Sequence, residues 1–191
     1  MRIFDTRDDM LRFLAKPGDR ICEIGVFLGE FARVLASTQP SLLVLVDPWA
    51  GMCSSGDADG NNVQDVFLPN AYKSVLEWTR PLPFVDVVRS KSWEALNLYK
   101  EGFDIIYVDG DHSYEGVRAD LEMAYWCIKD GGYICGHDYE MNPAKAKHHY
   151  EFGVKRAVDE FCAQHGLEIC AKGEDGCVSF AINVRKSKDN S

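Results

Sequence analysis

The chain has 191 residues, with 30 acidic and 21 basic side chains and a net charge of −9 when histidine is counted neutral. An apolar fraction of 46% and a charged fraction of 27% argue against a disordered tail and a membrane protein. The acidic balance argues against a protein that grips nucleic acid by its phosphates.

Strand-like and helix-like segments alternate along the whole chain, which predicts an α/β fold with a mostly parallel sheet. Thr6 caps a first helix over Asp8 to Ala15, with Met10, Leu11, Phe13 and Leu14 facing inward. Lys16 to Asp19 is a turn, Arg20 to Ile24 a short buried strand, and Glu30 to Ala36 a helix. Leu42 to Val46 is continuously apolar, as expected of a strand covered on both faces. Ala50 to Asn62 is rich in Gly, Ser, Asp and Asn and reads as a long functional loop.

A helix is expected from Asp65 to Trp78, a strand from Phe84 to Val88, and a helix capped by Ser92 running to about Tyr99. Asp104 to Val108 is a strand. Tyr114 to Lys129 carries the clearest helical stripe, with Val117, Leu121, Ala124, Tyr125 and Ile128 on one face. Asp130-Gly131-Gly132 ends it, and Tyr133 to Cys135 continues as a strand. Phe152 to Gln164 is a helix with Val154, Ala157, Val158 and Phe161 inward. Leu167 to Ala171 and Cys177 to Asn183 form an antiparallel hairpin. Residues 1–184 are read as one domain, and 185–191 as a polar tail.

The amino terminus mixes charge into every turn and does not read as a signal peptide. No apolar run approaches the roughly 18 residues needed to cross a bilayer. The seven cysteines include no C-x-x-C pair and lie mostly in apolar segments. They read as reduced core thiols of a cytoplasmic protein, with Cys53 in a polar loop.

After the first buried strand comes Glu23-Ile24-Gly25-Val26-Phe27-Leu28-Gly29, the pattern E-x-G-x-x-x-G. Gly25 permits a sharp turn and Gly29 a close approach. Ligands in open parallel sheets bind at this end of the strands. Asp47 follows about 20 residues beyond, the offset at which an acid meets a ribose hydroxyl pair. The loop lacks the G-x-G-x-x-G of a diphosphate site, so S-adenosylmethionine fits better than NAD. Ser90, Ser92 and Trp93 would flank the adenine.

The next two strand ends carry Asp109-Gly110-Asp111-His112 and Gly136-His137-Asp138. Acids gathered at one edge repel each other, and a bound cation relieves this. Carboxylate oxygens suit Mg²⁺ or Mn²⁺, and an imidazole shifts the balance toward Mn²⁺, Fe²⁺ or Zn²⁺. Asp109, His137 and Asp138 are the candidate ligands, with Asp109 also bordering the cofactor. Asp111 and His112 are the candidate general bases. His148, His149 and His165 read as solvated surface. Trp49, Trp93, Trp126 and Tyr139 are candidates for either a pocket lining or the core.

Together EIGVFLG, LVLVDPW, DIIYVDGDHSYEGVRADL and IKDGGYICGHDY resemble class I S-adenosylmethionine-dependent methyltransferases. The last two resemble the small DGDHSYE-motif type related to macrocin-type sugar O-methyltransferases. The resemblance implies a Rossmann-like seven-stranded sheet with helices on both faces and an antiparallel last strand. It implies that Glu23, Gly25 and Gly29 contact the methionine part and Asp47 the ribose. In metal-dependent relatives, acids at the places of Asp109, His137 and Asp138 hold a divalent cation. Here the pair begins with histidine, a departure from that pattern.

The expected reaction is methyl transfer to a hydroxyl of a small molecule or sugar, with divalent-metal assistance. Neither nucleic acid nor membrane is an expected partner, and a homo-oligomer is left open. The rival reading is a non-catalytic S-adenosylmethionine-binding or regulatory module, which needs the glycine loop and Asp47 but not the two acidic strand ends.

Overall fold

The computed structural model describes residues 1–50, 64–99, 102–141, 153–174 and 176–186. The elements in chain order begin with β1 (Arg2–Phe4), α1 (Arg7–Leu14), β2 (Arg20–Ile24), α2 (Glu30–Ser37) and β3 (Leu42–Val46). Then come α3 (Gln64–Thr79), β4 (Val85–Val88), α4 (Ser92–Leu96), β5 (Phe103–Val108) and α5 (Tyr114–Cys127). The chain continues through β6 (Ile128–Met141), α6 (Val154–His165), β7 (Ile169–Glu174) and β8 (Cys177–Asn183).

One sheet runs in the order β1-β7-β8-β6-β5-β2-β3-β4. Strands β2 to β6 pair in parallel, and β8 runs antiparallel to both β6 and β7. This is the expected Rossmann-like α/β sheet with its closing hairpin, but it has eight strands rather than seven. The added strand is β1, three largely exposed residues pairing in parallel with β7. Among the described residues no helix is long and apolar enough to cross a membrane.

Strand alternation divides the core in two. Cys22, Ile24, Ile106 and Val108 pack with α4, α5 and α6 on one face. Ile21, Leu43, Leu45, Ile105 and Tyr107 pack with α1, α2 and α3 on the other. Odd-numbered positions of β2, β3 and β5 thus share a face, so Glu23, Asp47 and Asp109 leave the sheet on the side of α1 and α2.

Several boundaries differ from the expectation. Helix α5 ends at Cys127, because Ile128 pairs with Phe103 and begins β6. That strand runs on to Met141, well beyond Cys135. Helix α4 stops at Leu96, short of Tyr99. Phe13 does not face inward: it is 55% exposed, beside the Phe4 ring and under the Arg2 guanidinium. His165 is not solvated surface. It packs on Tyr125 and Phe161, and its Nε2 lies 3.3 Å from a Glu122 oxygen. The loop at Ala50 to Asn62 lies outside the described residues apart from Ala50; Cys53, His148 and His149 also lie outside them.

Candidate active site

Strand β2 is the switch point of the sheet, flanked by β3 on one side and β5 on the other. Crevices form at such points, beyond the carboxyl ends of the strands. The chain leaves β2 through Gly25, whose φ is +86°. A Cβ there would fall 2.0 Å from the Asp109 carbonyl oxygen, so only glycine admits this crossing of the two strand ends. Gly29 is also left-handed and caps α2 without a side chain.

Glu23 is 1% exposed, and its Oε2 has no hydrogen-bond partner among the described residues. Burial pushes its carboxyl well above the usual carboxylate range, the Asp109 charge adds to this, and Arg7 opposes it. Asp47 holds the glycine loop itself. Its Oδ2 accepts from the Val26 and Phe27 amides, both at 2.9 Å, and its Oδ1 from the Trp49 amide at 2.6 Å. A carboxylate offers about four acceptor positions, so Asp47 keeps capacity for a further donor. Trp49 belongs to the core, with Nε1 donating to the Phe27 carbonyl.

The second half of the site lies on β5 and β6. His112 Nε2 stands 3.2 Å from Asp109 Oδ1 and 3.4 Å from Asp138 Oδ2. His137 Nδ1 lies 3.2 Å from Asp138 Oδ2 and 3.9 Å from Asp109 Oδ1. A regular pleat would send His137 and Asp138 to opposite faces. Here the register slips between Gly136 and Glu140, and Asp138 takes a φ of +55°. This bulge turns consecutive side chains into one site, a common use of bulges beside active sites.

Burial lowers the pKa of His112, but the Asp109 hydrogen bond and the charges of Asp138, Asp109 and Asp111 outweigh it and raise the imidazole. Burial raises the pKa of Asp138, but His137 and His112, together with a Cys177 hydrogen bond, outweigh it and hold that carboxyl down. Asp109, His137 and Asp138 each offer a ligand atom within 4.8 Å of the others. Two carboxylates and one imidazole at that spacing fit a divalent cation of the Mn²⁺, Fe²⁺ or Zn²⁺ kind.

The two candidate bases separate. Asp111 Oδ1 accepts from the Ser113 amide at 2.9 Å, and its carboxyl leaves no room for a Cβ on Gly116. His112 instead faces two of the three metal-ligand candidates, Asp109 and Asp138. Ser113, not Asp111, caps α5, accepting from the Gly116 amide. Ser92 does not cap α4: Lys91 holds the cap position, and the Ser92 hydroxyl donates to Asp120. Ser90 turns its hydroxyl to the Lys91 carbonyl, and Trp93 is half exposed. Trp126 is largely exposed and Tyr139 is buried.

Arg7 and Arg89 were among the residues missed by sequence reasoning. Arg7, the first residue of α1, places Nη1 3.4 Å from Asp109 Oδ2 and stacks on the Phe31 ring at 4.5 Å. Its only signal was a basic side chain in a first turn that otherwise carries Asp8 and Asp9, where the helix dipole favours acids. Arg89 donates to the Pro48 and Trp49 carbonyls and covers the Tyr72 ring, tying β4 to the end of β3.

The comparisons with known proteins agree with this fold. The chain is 26% identical over 119 residues to the uncharacterised protein R132 of Acanthamoeba polyphaga mimivirus, covering 62% of this chain and half of that relative. Its fold is similar to the N-methyltransferase NodS of Bradyrhizobium japonicum in complex with S-adenosyl-L-homocysteine. That match has a TM-score of 0.67 at 13% identity, over 94% of this chain and 86% of NodS. It is also similar to the fibrillarin pre-rRNA processing protein of Methanococcus jannaschii, with a TM-score of 0.60 at 15% identity, over 90% of this chain and 69% of that one. The sequence model of the methyltransferase domain family matches residues 22–139, from the glycine-loop strand through the His137-Asp138 bulge, and the chain belongs to that family.

Proposed function

We propose that the protein transfers a methyl group from S-adenosylmethionine to a hydroxyl oxygen of a small molecule or sugar. The observation that carries this reading is the convergence of Asp109, His112, His137 and Asp138 beside the Gly25 turn. The unpartnered Glu23 oxygen and the remaining acceptor capacity of Asp47 supply the polar groups that the amino-acid and ribose ends of the methyl donor require. The NodS complex, which holds the demethylated product, supports the same choice of cofactor. Residues 1–184 would act as one catalytic domain with the macrocin-type DGDHSYE enzymes as relatives, in a cytoplasmic setting.

In the reaction, a lone pair of the acceptor oxygen forms a bond to the methyl carbon. The carbon–sulfur bond breaks, and its electron pair stays on sulfur as neutral S-adenosylhomocysteine. In-line alignment supplies much of the rate. His112 is the preferred base, because Asp111 is committed to the Ser113 turn, and the Asp109 and Asp138 carboxylates beside its Nε2 would stabilise the imidazolium formed when it takes the hydroxyl proton. Asp109, His137 and Asp138 would hold Mg²⁺ or Mn²⁺. Such an ion, when bound, lowers the pKa of an acceptor hydroxyl.

A nucleic-acid acceptor is the second reading, since a fibrillarin of this fold is a pre-rRNA processing protein. The net charge of −9 favours the small acceptor. Asp109→Ala and Asp138→Ala should each lower turnover by about 10³-fold while S-adenosylhomocysteine still binds. Activity that survives both changes and excess chelator would overturn metal assistance. A screen of sugar hydroxyls against structured RNA separates the two acceptor classes.

A further inference from the structure

Asp120 lies on α5, near the end of the DIIYVDGDHSYEGVRADL segment, and is 7% exposed. A buried aspartate on a helix interior is unfavourable unless something requires it. Its Oδ1 accepts the Ser92 hydroxyl. Its Oδ2 lies 3.4 Å from where a Cβ of Gly110 would stand, an ordinary contact distance. The influences on its carboxyl are burial, the Ser92 hydroxyl and the like charge of Asp111, with no cation among them. Burial leads, and the carboxyl is pushed up to about 6. In its ionised form such a group costs stability.

Its neighbours explain its place. Ser92 opens α4, directly after the loop that leaves β4. Gly110 follows Asp109 in the loop that leaves β5. The first of these loops carries Ser90, Ser92 and Trp93, which would flank the adenine, and Asp109 of the second would border the same proposed cofactor. The rest of the β5 loop is fastened elsewhere, through the Asp109 amide to the Ile24 carbonyl and the Gly153 amide to the His112 carbonyl. One carboxylate therefore hydrogen-bonds the β4 loop at Ser92 and stands behind the β5 loop, on the side of Gly110 where a side chain would project.

We propose that Asp120 is a positioning residue for the nucleoside end of the cofactor site, joining the β4 loop to the β5 loop through Ser92 and Gly110. This rests on the cofactor reading above. Asp120 touches no ligand itself; it fixes the spacing of the loops that do.

The test is calorimetric titration of the full chain with S-adenosylhomocysteine and with methylthioadenosine, which has the nucleoside but no amino acid. Asp120→Ala and Ser92→Ala should weaken both ligands by a similar factor, about tenfold. Asp120→Asn, whose amide oxygen can still accept from Ser92, should restore binding to within about threefold of the original chain. A purely structural role would instead lower the melting temperature of Asp120→Ala with no rescue by asparagine. That pattern, or unchanged binding in Asp120→Ala, overturns the proposal alone. Absence of binding by the unaltered chain overturns the cofactor reading and this proposal with it.

Discussion

The two edges of the sheet are built from the same strands but obey different rules. At the edge where the strands begin, polar groups are matched. Asp104 accepts the Arg20 amide at 2.8 Å and the Lys129 ammonium at 2.7 Å, and the Arg20 Nε–H donates to the Gly102 carbonyl. Ser41 donates to the Gly18 carbonyl. At the edge where the strands end, Glu23 keeps an unpartnered oxygen, and Asp109 and Asp138 converge on the same imidazoles. Of the four described non-glycine residues with positive φ, Phe27, Trp49 and Asp138 are at this edge. Backbone strain and unsatisfied polar atoms collect where a ligand is to be held. The contrast sets matched polar pairs at one edge against strained and unmatched groups, those the proposed reaction would use, at the other.

The sharpest way to break this comparison is Gly25→Ala. A side chain there meets both a left-handed φ and the Asp109 carbonyl, so the change should cost about 3 kcal/mol or more and abolish S-adenosylhomocysteine binding. Denaturant midpoints and calorimetry check it together. Normal stability and binding would mean that the two strand ends do not cross as described.

Asp120 gives a smaller effect of opposite sign. Its folded carboxyl is pushed up to about 6 from the ordinary aspartate value of 3.8, so the folded state holds its proton more tightly than the unfolded chain does. Its contribution to stability is full below pH 4 and is lost as pH rises to about 6. Above that, the buried charge costs about 3 kcal/mol as an upper figure. Asp120→Asn should therefore raise the melting temperature at pH 8 and leave it little changed at pH 4. A variant that melts lower than the unaltered chain at pH 8 would show that the ionised form is well satisfied.

The smallest effect belongs to the other edge. Asp104→Ala removes one backbone and one lysine partner at partly exposed positions, and should cost about 1 kcal/mol. Ligand affinity should not change. A tenfold loss of affinity would erase the distinction between the edges.

The central strands were legible because strands covered on both faces read as unbroken apolar runs, as in Leu42–Val46. The acids at their ends were legible because strand ends in a parallel sheet share one edge. Strand β1 was not, because three largely exposed residues at a sheet margin carry no periodic signal. The end of α5 was misplaced because Ile128 continues the helical stripe, and only its pairing with Phe103 turns it into strand. Arg7 escaped because it lies in no motif, and Asp120 because nothing in its segment shows that it turns inward from α5. Long-range packing brings Arg7 to Asp109, 102 residues away, and Asp120 to Ser92, 28 residues away. The bulge at Asp138 is likewise a property of pairing with β8 and not of the dipeptide itself.

Calorimetric titration of the unaltered chain with S-adenosylhomocysteine, with and without Mn²⁺, tests the central claim most directly. One-to-one saturable binding that Asp138→Ala retains, together with Mn²⁺ binding that the same variant loses, is the predicted result. The absence of any S-adenosylhomocysteine binding would contradict the account.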